Sequence, residues 1–308
     1  MVFTRGSFAY VGLVVTAGLL QAAPAPEVSA IRYRFKQGDK LYYALEQKAT
    51  VAMNFMGQQI NQETAQTLDM SWQVTGVDKD GKAKITLTFE RVRLKSDGLT
   101  GKADFDSKDG KLPDDPSGKQ MAEHMKPLVG GEVTFTMDAR GRLTDIKPSD
   151  KLAKALKNAP AQNLGGLGEF QTEEGMKRSL AQFIVALPTG ELTKGKAWTE
   201  KITEKSPQGT ITLENKYTYE GSTKRGDTKL EKIVNKPVID VKPDDNTPVP
   251  FKLTTKDAKG VVYFDSARGR LVENHLALDM KMEVNMGEIA LDCTLKATVT
   301  LKLVDKPK

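Results

Sequence analysis

The residues able to do chemistry are few and scattered. His124 and His275 are the two histidines, and neither stands in an HxH or HExxH pattern. Cys293 is the single cysteine, so a CxxC pair and an intramolecular disulfide are both impossible. It shares the apolar parity of an alternating run, which predicts a buried small hydrophobe rather than a reactive thiol. Gly165-Gly166-Leu167-Gly168 is followed by Glu169 and lacks the Lys-Ser/Thr that completes a phosphate loop. Asp78-Lys79-Asp80-Gly81 opens like a calcium loop, but no ligand series or closing glutamate follows, so the segment reads as a hairpin turn. Arg225-Gly226-Asp227 falls at a matching turn and reads the same way. The expectation is a protein that is not an enzyme and has no metal or cofactor.

Two residue sets remain as candidate binding sites. Met53, Met70, Met280 and Met282 lie in long alternating stretches, and flexible thioethers suit a surface that adapts to apolar ligands, although most such stripes are simply packed core. Arg140 and Arg142, with Arg268 and Arg270, flank a glycine in the pentapeptide Ala-Arg-Gly-Arg-Leu, which occurs at 139–143 and again at 267–271. Paired guanidinium groups suit a bound anion; the competing reading is a β-turn whose arginines pair with neighbouring acids.

The elements that must position these residues are strands. Apolar residues alternate with polar ones from Leu41 to Phe55, from Ile60 to Val74, from Leu276 to Met286 and from Ile289 to Leu301, which predicts long half-buried strands in an antiparallel sheet. Gly287 marks a hairpin turn. Trp72, Leu87, Leu278 and Leu291 share the apolar parity and are expected to be buried. Between Lys82 and Lys95 the apolar parity switches, odd at Ala83, Ile85, Leu87 and Phe89 but even at Val92 and Leu94, so a β-bulge is expected near Glu90-Arg91. Helical period appears after Ser117, which with Gln120 forms a capping box, after Ser149, and from Thr172 through Leu187 to Pro188.

The β-rich stretches resemble two copies of one unit. Besides the repeated pentapeptide, Trp72 to Ile85 lines up on Tyr217 to Leu230, and Lys36 to Lys40 on Thr193 to Ala197. The fold class expected is mainly β, with two related antiparallel halves made by tandem duplication and a few short helices. Residues 31–147 form the first repeat, 148–192 a helical connection and 193–308 the second repeat.

Residues 1–30 read as a signal peptide and a short N-terminal segment. Arg5 precedes an apolar run from Phe8 to Leu20, and small residues follow. The run is short for a membrane span and ends at Gln21 and two prolines, Pro24 and Pro26, so no span is expected after cleavage. Export to the periplasm or outside the cell is the expectation. The composition, 39% hydrophobic and 28% charged, is that of a globular chain, and a net charge of +6 is too small and dispersed to indicate a nucleic-acid or anionic-membrane partner.

Tyr33-Arg34-Phe35-Lys36-Gln37-Gly38-Asp39-Lys40, the Trp72 to Lys84 hairpin and Val262-Tyr263-Phe264-Asp265 ahead of the second pentapeptide together resemble an uncharacterised domain-of-unknown-function family of bacterial exported proteins. That resemblance implies export and a β-rich fold and carries no activity or site residue. The functional expectation is a non-catalytic binding protein for a hydrophobic or lipid-like ligand, with an architecture comparable by analogy to open half-barrel lipoprotein carriers. The alternative is a structural or partner-binding protein of the cell envelope.

Overall fold

A strand with one apolar parity needs a hydrogen-bonded neighbour on each side and a cover for one face. The computed structural model describes residues 28–29, 31–55, 58–98, 101–158, 172–206, 209–242, 251–286 and 289–306. The expected signal segment through Glu27, the Gly165–Gly168 stretch, Met56 and Gly287 lie outside the described residues.

The strands are β1 (Val28–Ser29), β2 (Lys40–Phe55), β3 (Gln58–Val77), β4 (Ala83–Asp97), β5 (Ala103–Asp106), β6 (Glu132–Met137) and β7 (Leu143–Pro148), followed by β8 (Leu192–Thr193), β9 (Ala197–Ser206), β10 (Gly209–Arg225), β11 (Thr228–Lys242), β12 (Phe251–Asp265), β13 (Arg270–Met286) and β14 (Ile289–Val304). Helices α1 (Pro116–Met125), α2 (Asp150–Asn158) and α3 (Glu173–Phe183), with a 3-10 turn at Lys126–Leu128 after α1, complete the set among the described residues. All but β1 and β8 join one antiparallel sheet of twelve strands in the order β7-β6-β4-β3-β2-β14-β13-β12-β11-β10-β9, with β5 beside β4. At 16 residues, β2 and β14 each run for roughly 50 Å.

The strands on either side of β14 follow one another in the same sense, β2-β3-β4-β6-β7 and β9-β10-β11-β12-β13. Gly81 and Gly226 turn the second hairpin of each run, and Gly141 and Gly269 the last, all with positive φ. Corresponding backbone bonds recur at the start of each run. Gly38 N–H donates to Val74 O at 3.0 Å and Val74 N–H to Asp39 O at 2.9 Å, while Gly195 N–H donates to Tyr219 O at 2.8 Å and Tyr219 N–H to Lys196 O at 2.9 Å. The two runs are parts of one sheet rather than separate sheets.

The bulge falls where the parity switch requires it. Asp69 pairs with Arg91 and Met70 with Phe89, leaving Glu90 as the extra residue. Phe89, Val92 and Leu94 are consequently all buried on one face.

The inner face is that of Tyr43, Leu68, Met70 and Trp72. At the end of the sheet that carries the turns around Gly38, Gly81, Gly141, Gly226 and Gly269, two extended segments are packed into it. Tyr33 N–H donates to Ala139 O and Arg34 N–H to Gly269 O, both at 2.9 Å, so Ile31–Phe35 is held between the two repeated turns. Leu187 N–H donates to Arg140 O at 2.8 Å and Trp198 Nε1 to Ala186 O at 2.8 Å, so the stretch 184–187 links the turn before edge strand β7 to edge strand β9. Arg142 and Glu200 face each other across the same junction at 3.6 Å. The sheet is thereby curled and closed at its turn end, with the side chains of Tyr33, Tyr43, Trp72, Phe135 and Phe264 filling the interior.

Three local expectations need correction. Asp115, not Ser117, caps α1 by accepting from Gly118 N–H at 2.9 Å, and Pro116 at the first helical position places the start earlier than the capping box did. Helix α3, capped by Thr172 as expected, stops at Phe183, because Ile184 turns extended and 184–187 spends its backbone groups on the sheet edges instead. Trp72 and Leu87 are buried, but Leu278 and Leu291 are only half-buried, since the inward packing that covers the turn end does not close over them.

Closure depends on close backbone approach. A Cβ on Gly269 would lie 2.5 Å from the Arg34 side chain and 2.6 Å from its backbone nitrogen, at φ +65, whereas one on Gly226 at φ +59 meets nothing. Gly226→Ala is expected to cost about 1 kcal/mol for the left-handed backbone alone, and Gly269→Ala about 3 kcal/mol because the seated segment must also shift. Equal denaturation midpoints for the two variants would contradict this packing.

Candidate functional site

The tightly packed core ends part-way along the strands, at a belt of buried amides on the inner face. Gln66 Nε2 donates to Met125 Sδ of α1, Asn274 Nδ2 to Phe183 O at the end of α3, and Asn235 Nδ2 to Asn215 Oδ1. The first two tie the strands to the helices, which pack against β4 to β7. Beyond the belt the inner face continues as rows fixed by the register. Val51, Leu295, Met280 and Thr255 lie side by side across β2, β14, β13 and β12, and so do Met53, Cys293, Met282 and Leu253 one step further out. Nearer the belt a row of small residues, Ala49, Ala297 and Ala258, runs past Leu278. Met280 and Cys293 are buried, while Val51, Met53, Leu253, Leu278, Met282 and Leu295 are half-buried. None of these outer-row residues belongs to the main core. Neighbouring side chains cover one another laterally, but the face is not packed shut as it is at the turn end.

The structure therefore brings three of the four candidate methionines into one patch. Met70 is placed elsewhere: it pairs with Tyr43 in the closed core and is 4% exposed. Alternation alone assigned all four to one face and could not separate covered from uncovered positions.

The arginine candidates also divide. Arg142 pairs with Glu200 at 3.6 Å, and Arg268 with the buried Asp265 at 3.2 Å. Arg140 gives its backbone to the turn, its N–H to Asp138 Oδ1 and its carbonyl to Leu187. Arg270 lies on the outer face with no carboxylate partner among the described residues.

Cys293 sits between Met53 and Met282, and burial, reinforced by the neighbouring Asp292 carboxylate, pushes its thiol above the ordinary range. That setting opposes thiolate chemistry at neutral pH. His275 Nδ1 shares a hydrogen bond with Thr300 Oγ1 at 2.8 Å on the outer face. The Asp78 carboxylate accepts from the N–H groups of Asp80 and Lys82, the work of a turn rather than of an ion site. Among the described residues no cluster of three or more His, Cys, Asp or Glu could hold a metal, and no helix is long and apolar enough to cross a membrane.

The model of a family of unknown function, DUF6263, matches residues 80–229, consistent with an uncharacterised domain-of-unknown-function family. No curated protein matches the chain. Among solved structures it is similar to lipovitellin, in a structure concerned with lipid–protein interactions, at 12% identity and a TM-score of 0.48 over 88% of this chain and 26% of that one. The chain thus spans about a quarter of the lipovitellin chain. It also matches DynF from the dynemicin biosynthesis pathway of Micromonospora chersina, at 8% identity and a TM-score of 0.23 over 97% and 95% of the two chains. A DUF1329 family protein from Desulfovibrio piger matches at 9% identity and 0.16 over 86% and 87%. Overlaps this loose transfer no function.

Proposed function

We propose that this chain is an exported, non-catalytic binding protein whose inner sheet face beyond the amide belt holds the hydrocarbon part of a lipid-like ligand. The observation that carries the reading is the pair of rows through Met280 and Met282, apolar, continuous across β12, β13, β14 and β2, and, apart from the buried Met280 and Cys293, left only half-buried by a core that stops short of them. Their side chains are aliphatic or thioether apart from Thr255 and the Cys293 thiol. The occupant they favour is accordingly an acyl chain rather than a polar metabolite, and methionines adapt to its varied shape. The two matched strand runs support a tandem duplication as the origin of a sheet broad enough to present this face.

Cys293 offers a direct test, because it is the chain's one thiol and lies in the outer row. With its thiol held above the ordinary range by burial, alkylation by a maleimide is expected to be slow at pH 7 and to speed up as pH rises through the raised value. Saturating oleate should slow it further, and native mass spectrometry of protein purified from its own envelope should show a retained lipid. Alkylation unaffected by oleate, together with a ligand-free mass, would overturn the carrier reading and favour the partner-binding envelope protein.

A further inference from the structure

We infer that the outer-face pocket at the turn end of β2, β13 and β14 binds a phosphate group. The pocket has a volume of about 630 Å³ and is lined by Lys40, Arg270, Lys302 and Lys306, with Asp305 as the carboxylate among its lining residues. Arg270 is the decisive residue. Its Nε is buried and has no hydrogen-bond partner among the described residues. By contrast, Arg142, Arg225 and Arg268 each meet a carboxylate. No carboxylate among the described residues neutralises this guanidinium, and an oxyanion in the pocket supplies the missing counter-charge. Of the carboxylates nearby, Asp305 makes no ion pair among the described residues, and two others are already engaged. Glu273, opposite Lys302 in the register, accepts from Arg225 at 2.9 Å, and Glu90 lies 3.8 Å from Lys40. Lys302 and Lys306 have no ion-pair partner among the described residues and are exposed, free to close on a ligand. This surplus of cations suits a phosphate better than a single carboxylate, and a guanidinium fork matches its oxygens.

The site lies on the opposite face of the sheet from the apolar rows and stands whether or not those rows carry a lipid. Its chemistry fits either free phosphate or the headgroup of an anionic phospholipid, and two measurements separate these. Binding of inorganic phosphate is followed by calorimetry, and co-sedimentation compares vesicles of phosphatidylglycerol with vesicles of phosphatidylcholine. The parent chain is expected to bind at least one of the two probes, phosphate or the phosphatidylglycerol surface, and not phosphatidylcholine. Arg270→Gln should weaken that binding by at least ~10-fold. The double variant Lys302→Gln/Lys306→Gln should do likewise, and because both lysines are exposed it tests the site even where Arg270→Gln impairs folding. Phosphate binding without vesicle binding assigns the site to the free anion, and vesicle binding assigns it to the headgroup. No binding of either probe, or binding unchanged in the double variant, overturns the inference.

Discussion

Phe264→Ala is expected to lower the unfolding free energy by about 3–5 kcal/mol, whereas Leu295→Ala is expected to lower it by about 1 kcal/mol. Phe264 is fully buried on β12, pairs with Leu271 across the turn, and meets the Tyr33 ring edge-on at a centroid distance of 5.0 Å. Removing it leaves a cavity between the sheet and the seated Ile31–Phe35 segment, which cannot collapse because its backbone is bonded to Ala139 and Gly269 on either side. Leu295 has the same parity on its own strand but is half-buried, so truncation removes less covered area and opens no closed void. Urea denaturation of both variants measures the difference. Comparable losses would mean that the outer rows are as tightly packed as the turn end, and the uncovered face would not exist.

The second large effect concerns binding. Met282→Gln combined with Leu295→Gln should weaken uptake of a fluorescent fatty acid by roughly 10- to 100-fold, since each residue contributes about 1 kcal/mol or more of apolar contact to a chain laid across the rows. Both positions are half-buried, so the new amides keep contact with water and folding stability should fall by no more than about 1–2 kcal/mol. A closed core would respond in the opposite proportion, with several kcal/mol lost to buried unpaired amides and no uptake by the parent to lose. Strong destabilisation joined to an inert parent would eliminate the lipid-binding proposal.

How much of this was legible in the chain follows from the range of each interaction. Side-chain alternation has a period of two and needs no knowledge of distant residues, so the face to which Trp72, Leu87, Met53 and Met282 belong could be read directly. The Glu90 bulge could be read too, because a parity switch inside one apolar strand admits few other remedies. Helix caps at Ser149 and Thr172 are equally local, with Leu152 N–H reaching Ser149 Oγ at 3.4 Å and Gly175 N–H reaching Thr172 Oγ1 at 3.0 Å. What lies over a face is a different matter. Met70 and Met53 obey the same alternation on neighbouring strands, yet one is packed in a core and the other half-open. The arginines of the repeated pentapeptides show the same division, since Glu200 reaches Arg142 only because the sheet curls until its two edges meet, while Arg270 lines the outer-face pocket and meets no carboxylate among the described residues. Local alternation determined by the sequence sets direction; burial and charge pairing are sums over neighbours from distant parts of the chain, and only the curl of the sheet, held at one end by Ile31–Phe35 and 184–187, decided them.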